Sequence, residues 1–178
     1  MEDGLLRPDC ARCAALCCVG LAFDRSDVFA YDKPAGVACR HLDIDDRCGI
    51  HPQLEQRGFS GCMWFDCQGA GQRVTQELFE GRSWRDHPEL SRSMFDAFRA
   101  MRLVHELLSL LQTASQFPLT SQQAEKRDAL LRVLDPPQGW STQTLIAFEQ
   151  SDTPTAVREF LTTLRGHVGA ERQSAENR

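Results

Sequence analysis

The sequence predicts a mainly α-helical protein in which an irregular cysteine-rich module precedes a small helical bundle. Two observations carry that prediction. All eight cysteines lie at or before residue 67, so the last 111 of the 178 residues carry no thiol. From about residue 73, apolar residues recur at three- and four-residue steps, the spacing of one helix face. A hydrophobic content of 42% is enough to build a core. The division this suggests is a module over 1–72, a bundle over 73–170 and a polar, frayed tail over 171–178, with the two larger parts free to form one compact domain.

The bundle can be read helix by helix. In "HPELSRSMFDAFRAMRLVHELLSLLQTASQ", Met94, Phe98, Met101, Val104, Leu108 and Leu111 form one apolar stripe. Pro88 sits near its start and Pro118 ends it. A second helix follows in "TSQQAEKRDALLRVLD", where Thr120 and Gln123 have the spacing of a capping box, and Pro136-Pro137 stops it. "STQTLIAFEQ" predicts a short third helix behind Ser141. "TPTAVREFLTTLRGHVG" predicts a fourth, with Thr153 as cap and Pro154 at the first helical position.

The module reads differently. It is rich in Gly and Pro, and its apolar runs are short, such as "VFAY" and "CMWFDC". One short helix is expected over 10–18, then loops with a few short strands at most. On such a helix Cys10, Cys13 and Cys17 share a face and Cys18 points aside.

Bulk properties exclude some classes. A net charge of -5 argues against a general nucleic-acid binder. No apolar run approaches the ~20 residues of a membrane span. The opening "MEDGLLRPDC" lacks a basic stretch followed by an apolar one, so no secretory signal is expected. The cytoplasm is the expected compartment, and stable disulfides are rare there.

Three readings compete for Cys10, Cys13, Cys17, Cys18, Cys39, Cys48, Cys62 and Cys67. A disulfide framework is disfavoured by the reducing compartment and by the adjacency of Cys17 and Cys18. Isolated buried thiols would be scattered rather than crowded into the first 67 residues. Metal ligation is favoured: thiolates are soft donors that select zinc, copper(I) or iron–sulfur clusters. Eight of them can fill two four-cysteine sites, or one site with spares.

The order C-x2-C-x3-C-C, "GVACRHL", "RCGIH" and "GCMWFDC" resembles the zinc- or iron-chelating cysteine-cluster family, often labelled YkgJ-type. The match covers residues 10–67. With "DKPAG", "RGFSGC" and "DCQGAGQ" it is most similar to the cysteine-rich N-terminal region of some bacterial pentapeptide-repeat proteins, although this chain contains no pentapeptide repeat. A similar module occurs in flagellin lysine-N-methylases. The resemblance implies that all eight cysteines bind metal, either a 4Fe-4S iron–sulfur cluster or Zn2+. The expected role is structural or metal-handling. An iron–sulfur redox protein or enzyme is the first alternative, and an interaction module whose helical half docks a protein partner is the second.

Other residues are assigned lesser roles. "GAGQ", Gly69 to Gln72, reads as a turn that lets the backbone pass near the metal. His41 and His51 read as neighbours of ligands rather than ligands, and His105 as a core residue. Asp43, Asp45 and Asp46 read as a solvated loop. Trp64 and Phe65 are expected to shield the site from water, and Arg12, Arg40 and Arg47 to offset thiolate charge. No catalytic set can be selected from the sequence.

Overall fold

The computed structural model describes residues 4–165; the predicted tail lies outside them. The protein is mainly α-helical, with seven α-helices among the described residues. Pairing between extended segments is confined to isolated antiparallel bridges, Phe23 with Lys33, Ser26 with Phe29 and Leu42 with Cys48. The chain forms two compact units, one running to His105 and the other starting at Glu106.

The first unit contains α1 (Leu16–Gly20), α2 (Ser60–Trp64), α3 (Ala70–Arg73) and most of α4 (Ser91–Ala114). The helix expected over 10–18 is broken. A 3-10 turn covers Cys10–Arg12, Cys13 is extended, and Ala15 stands in the left-handed region at φ 52° before α1 begins. A left-handed residue cannot continue a right-handed helix, so the three thiols Cys10, Cys13 and Cys17 do not share a helix face. After Arg73, α3 widens into a π-turn over Val74–Leu78. Such turns are often found at functional sites.

The predicted stripe of α4 forms as expected. Met94, Phe98, Met101, Val104, Leu108 and Leu111 are all buried. The helix ends at Ala114, ahead of Pro118.

The second unit holds the end of α4, then α5 (Ser121–Leu134), α6 (Thr142–Glu149) and α7 (Thr153–Thr163). The capping box at α5 is present in full: the Thr120 hydroxyl accepts from the Gln123 amide, and the Gln123 side chain accepts from the Thr120 amide. Ser141 and Thr144 make the same reciprocal pair at α6. At α7 the cap position is Asp152 and not Thr153, so Pro154 falls one position later in the first turn. Leu107, Leu108, Leu111, Leu134, Leu145 and Val157 are fully buried in this unit.

Candidate cysteine site

All eight cysteines lie in the first unit, and all are free thiols. Cys10 and Cys62 are exposed, and the other six are half-buried. Hydrogen bonds between distant segments gather them. On one side, residues 5–14 are laced to residues 67–76. Gln72 Nε2 donates to the Arg7 carbonyl at 2.7 Å, and the Asp9 amide donates to Gln72 Oε1 at 2.7 Å. The Ala14 amide donates to Thr75 Oγ1 at 3.1 Å. Trp84 Nε1 donates to the Ala14 carbonyl at 2.8 Å. The glycines of "GAGQ" allow this close approach. Gly69 has φ 83°, and a Cβ there would collide with the Leu5 carbonyl. A Cβ on Gly71 would stand 2.6 Å from Cys13 Sγ. The turn therefore brings the backbone against a cysteine.

On the other side, the Cys39 amide donates to the Cys18 carbonyl at 3.0 Å. The Leu42 amide donates to the Cys39 carbonyl at 3.0 Å, and Leu42 pairs with Cys48. Phe59 packs edge-on against Tyr31 and His41, with ring centres 5.3 and 5.2 Å apart, and Tyr31 and His41 are tilted to each other at 6.1 Å. The Tyr31 hydroxyl lies 3.1 Å from Cys39 Sγ. Thus His41 packs in an aromatic cluster. His51 is exposed and lines an open cleft that also borders Cys62.

Thiol acidities follow from this crowding. Burial pushes Cys13 up to about 12, and partial loss of solvent around the sulfur, with charge on Cys39, Cys17 and Cys48, pushes Cys62 up to about 11 although the residue as a whole is exposed. Cys10 and Cys48 are also raised, by burial first. Charge on neighbouring cysteines adds to each rise, because thiolates repel one another. Cys17 and Cys18 have Sγ atoms 3.9 Å apart. A hydrogen bond from Cys18 lowers Cys17, and the same bond raises Cys18. The thiols are donors of the type that soft metals take, and among the described residues no three of His, Cys, Asp or Glu stand at ligation distance.

Lys33 was not singled out by the sequence. It is 3% exposed, and its Nζ donates to the carbonyls of Val19, Pro34 and Val37 at 3.2, 3.2 and 2.8 Å. Three carbonyls use all three ammonium donors. Burial lowers its pKa, while charge on Cys39, Cys18, Cys17 and Cys62 acts to raise it. It is a fixed cation among thiols. The only sequence signal was its place in "DKPAG".

The other expectations divide. Arg47 does oppose the rise at Cys10, whereas Arg40 lies over the Tyr31 ring at 4.4 Å. Trp64 is 73% exposed and shields nothing; α2 is a single short turn that leaves its indole in solvent. Phe65 is half-buried beneath the Arg102 guanidinium, 5.0 Å from its ring centre. Asp46 is not a solvated residue, because Arg85 pairs with it at 2.9 Å. His105 is buried as expected, with Nδ1 against the Gln68 carbonyl and Nε2 3.5 Å from Arg73 Nη1. The apolar stripe of α4 is covered.

No family model matches the chain, and no solved structure matches it. The chain is similar to an uncharacterized protein of Bacillus subtilis (strain 168), YybG, at 45% identity over 109 residues. The matched region is 61% of this chain and 39% of YybG, so the chain spans well under half the length of that relative. No helix among the described residues is long and apolar enough to cross a membrane.

Proposed function

We propose that the protein binds metal through its cysteine-rich unit, as zinc or an iron–sulfur cluster, in a structural or metal-handling role. One observation carries this reading. Among the described residues from 21 to 53, no hydrophobic side chain is buried, and Lys33 alone is buried. Yet this stretch is folded back on itself and carries Cys39 and Cys48. Its apolar packing is one cluster of half-buried rings, with Phe23 stacked on Phe29 at 4.4 Å and Tyr31 edge-on to Phe59 at 5.3 Å, which leaves room for a further source of order. Metal binding supplies it, because ligation energy becomes folding energy. The resemblance to YkgJ-type cysteine clusters supports the same reading, and the eight cysteines are free to act as thiolate ligands.

This chain's residues would act as follows. The cysteines would ligate as thiolates, giving up protons to solvent. Lys33 would offset part of their charge. The Tyr31 hydroxyl would hydrogen-bond the Cys39 sulfur and orient it.

The test is metal and sulfide content, with an ultraviolet–visible spectrum, on protein purified without oxygen. Iron with sulfide and visible charge-transfer absorption identifies a cluster protein, and redox titration follows. Stoichiometric zinc without colour identifies a closed thiolate site. Protein with neither metal, and with eight reactive thiols that take up neither, sinks the reading.

A further inference from the structure

Two separate hydrogen-bond networks hold the segments that carry the thiols, and a division of the thiols along them deepens the metal-binding reading on which it rests. We propose that the cysteines form two separate four-thiolate metal centres: Cys10, Cys13, Cys17 and Cys67 in one, and Cys18, Cys39, Cys48 and Cys62 in the other.

The first group is set by the lacing of residues 5–14 to residues 67–76. Cys67 stands at the entrance of α3, where its carbonyl accepts from the Ala70 amide at 3.0 Å. Four residues after Cys67, at the second position of the same helix, Gly71 lies against Cys13 Sγ. Cys10 is carried next to Gln72 by the Asp9 amide. The second group is set by a different network. Cys18 and Cys39 share a backbone hydrogen bond, and Cys48 is tied back through Leu42. Cys62 follows Phe59, which packs on Tyr31 and His41, and the Cys62 amide donates to the Phe59 carbonyl at 3.0 Å. The Gly61 amide donates to the Val28 carbonyl at 3.2 Å, fixing α2 to the same loop.

The two groups meet at the adjacent pair. Successive residues of α1 point about 100° apart, and Cys17 lies at the junction, its charge acting on Cys10 and Cys13 on one side and on Cys48 and Cys62 on the other; the first group, otherwise three thiols, is the one that needs it. Their 3.9 Å separation also admits the opposite outcome. Two thiolates on one tetrahedral zinc, with ~2.3 Å bonds, stand ~3.8 Å apart, so a single ion bridging the pair is the arrangement to exclude.

The experiment uses the full chain, stripped of metal under argon and given Zn2+. Native mass spectrometry is expected to count two ions per chain. At one equivalent, alkylation with iodoacetamide followed by peptide mapping is expected to protect four cysteines of one group together. Cys13→Ser and Cys39→Ser are each expected to keep one of the two ions. Cys13→Ser/Cys39→Ser is expected to lose both high-affinity sites. Circular dichroism checks that the variants fold, and the mapping on the natural chain stands without them. For an iron–sulfur protein, iron and sulfide are supplied instead and clusters are counted. Saturation at one ion or one cluster overturns the division while leaving metal binding intact. So does protection at one equivalent that mixes the groups within one molecule or covers Cys17 and Cys18 together. No uptake of zinc or of a cluster sinks both readings.

Discussion

The unit that ends at His105 and the unit that begins at Glu106 solve the problem of order in opposite ways. In the second, α5 and α6 carry their own start signals, reciprocal caps at Thr120 and Ser141, and Leu134, Leu145 and Val157 are fully buried. In the first, the helices before α4 are four or five residues long. Isolated helices that short are unstable. Hydrogen bonds across sixty and more residues hold them, such as Asp9 to Gln72 and Gln76 to Arg12. Local signals therefore suffice for one unit and not for the other. The difference predicts where metal, cavity and charge changes are felt.

The largest effect is expected from metal removal. Structural zinc in small domains contributes on the order of 10–16 kcal/mol at neutral pH. Chelation should weaken amide protection over residues 10–67 far more than in α5 and α6. Equal loss in both units by hydrogen exchange would erase the contrast. Metal-free protein has a further signature. The Cys13 and Cys62 thiols, raised by burial to about 12 and about 11, favour the folded state in protonated form. Their contribution is present below the unfolded thiol value of about 8.5 and is lost as pH rises through 11–12. Loaded protein should show the reverse dependence, losing metal as acid protonates the thiolates.

Leu134→Ala should act in the second unit only. A fully buried leucine truncated to alanine costs about 2–5 kcal/mol. Thermal or denaturant unfolding should register that loss, with metal stoichiometry unchanged.

How far the sequence exposed the fold follows the same contrast. The α4 stripe and the Thr120–Gln123 box were legible because both are local patterns. The broken helix at Ala15 was not, because its cause is long-range: Ala14 must turn to meet Thr75 and Trp84. The change of texture near residue 73 and the division of the units after His105 do not coincide. The first half of α4 is helical in pattern but belongs to the cysteine-rich unit. Of the candidate site, the eight cysteines were legible by type and spacing. Lys33 was not, since nothing in "DKPAG" says that its ammonium will be buried under three carbonyls.

Lys33→Met tests that buried cation. It keeps much of the stem and removes the donor, leaving the carbonyls of Val19, Pro34 and Val37 without it. Leaving a buried acceptor unsatisfied costs ~1–3 kcal/mol. Metal affinity should also fall, because one positive charge beside the thiolates is gone. Unchanged zinc affinity with lowered stability would make Lys33 a structural residue only. Lys33→Arg tests the charge separately from the shape.

A smaller loss is expected in the second unit from Thr120→Ala. The hydroxyl that accepts from the Gln123 amide is removed. Such caps are worth ~1 kcal/mol. The effect should appear as faster exchange in the first turn of α5, with the cysteine-rich unit unchanged.

The smallest effect is expected from Trp64→Ala, two residues after Cys62. Sequence position suggests a shield over the metal, and on that view the substitution would speed zinc loss or shift a cluster's potential. In the structure the indole is 73% exposed, so its removal opens no path to the sulfurs. Stability should change by less than ~0.5 kcal/mol, as for ordinary surface positions, and the rate of zinc transfer to a chelator should match the natural chain. Faster transfer would mean that the loaded state draws α2 inward and seats Trp64 over Cys62. The cysteine-rich unit would then tighten on metal in a way that the helical unit, complete without metal, has no need to do.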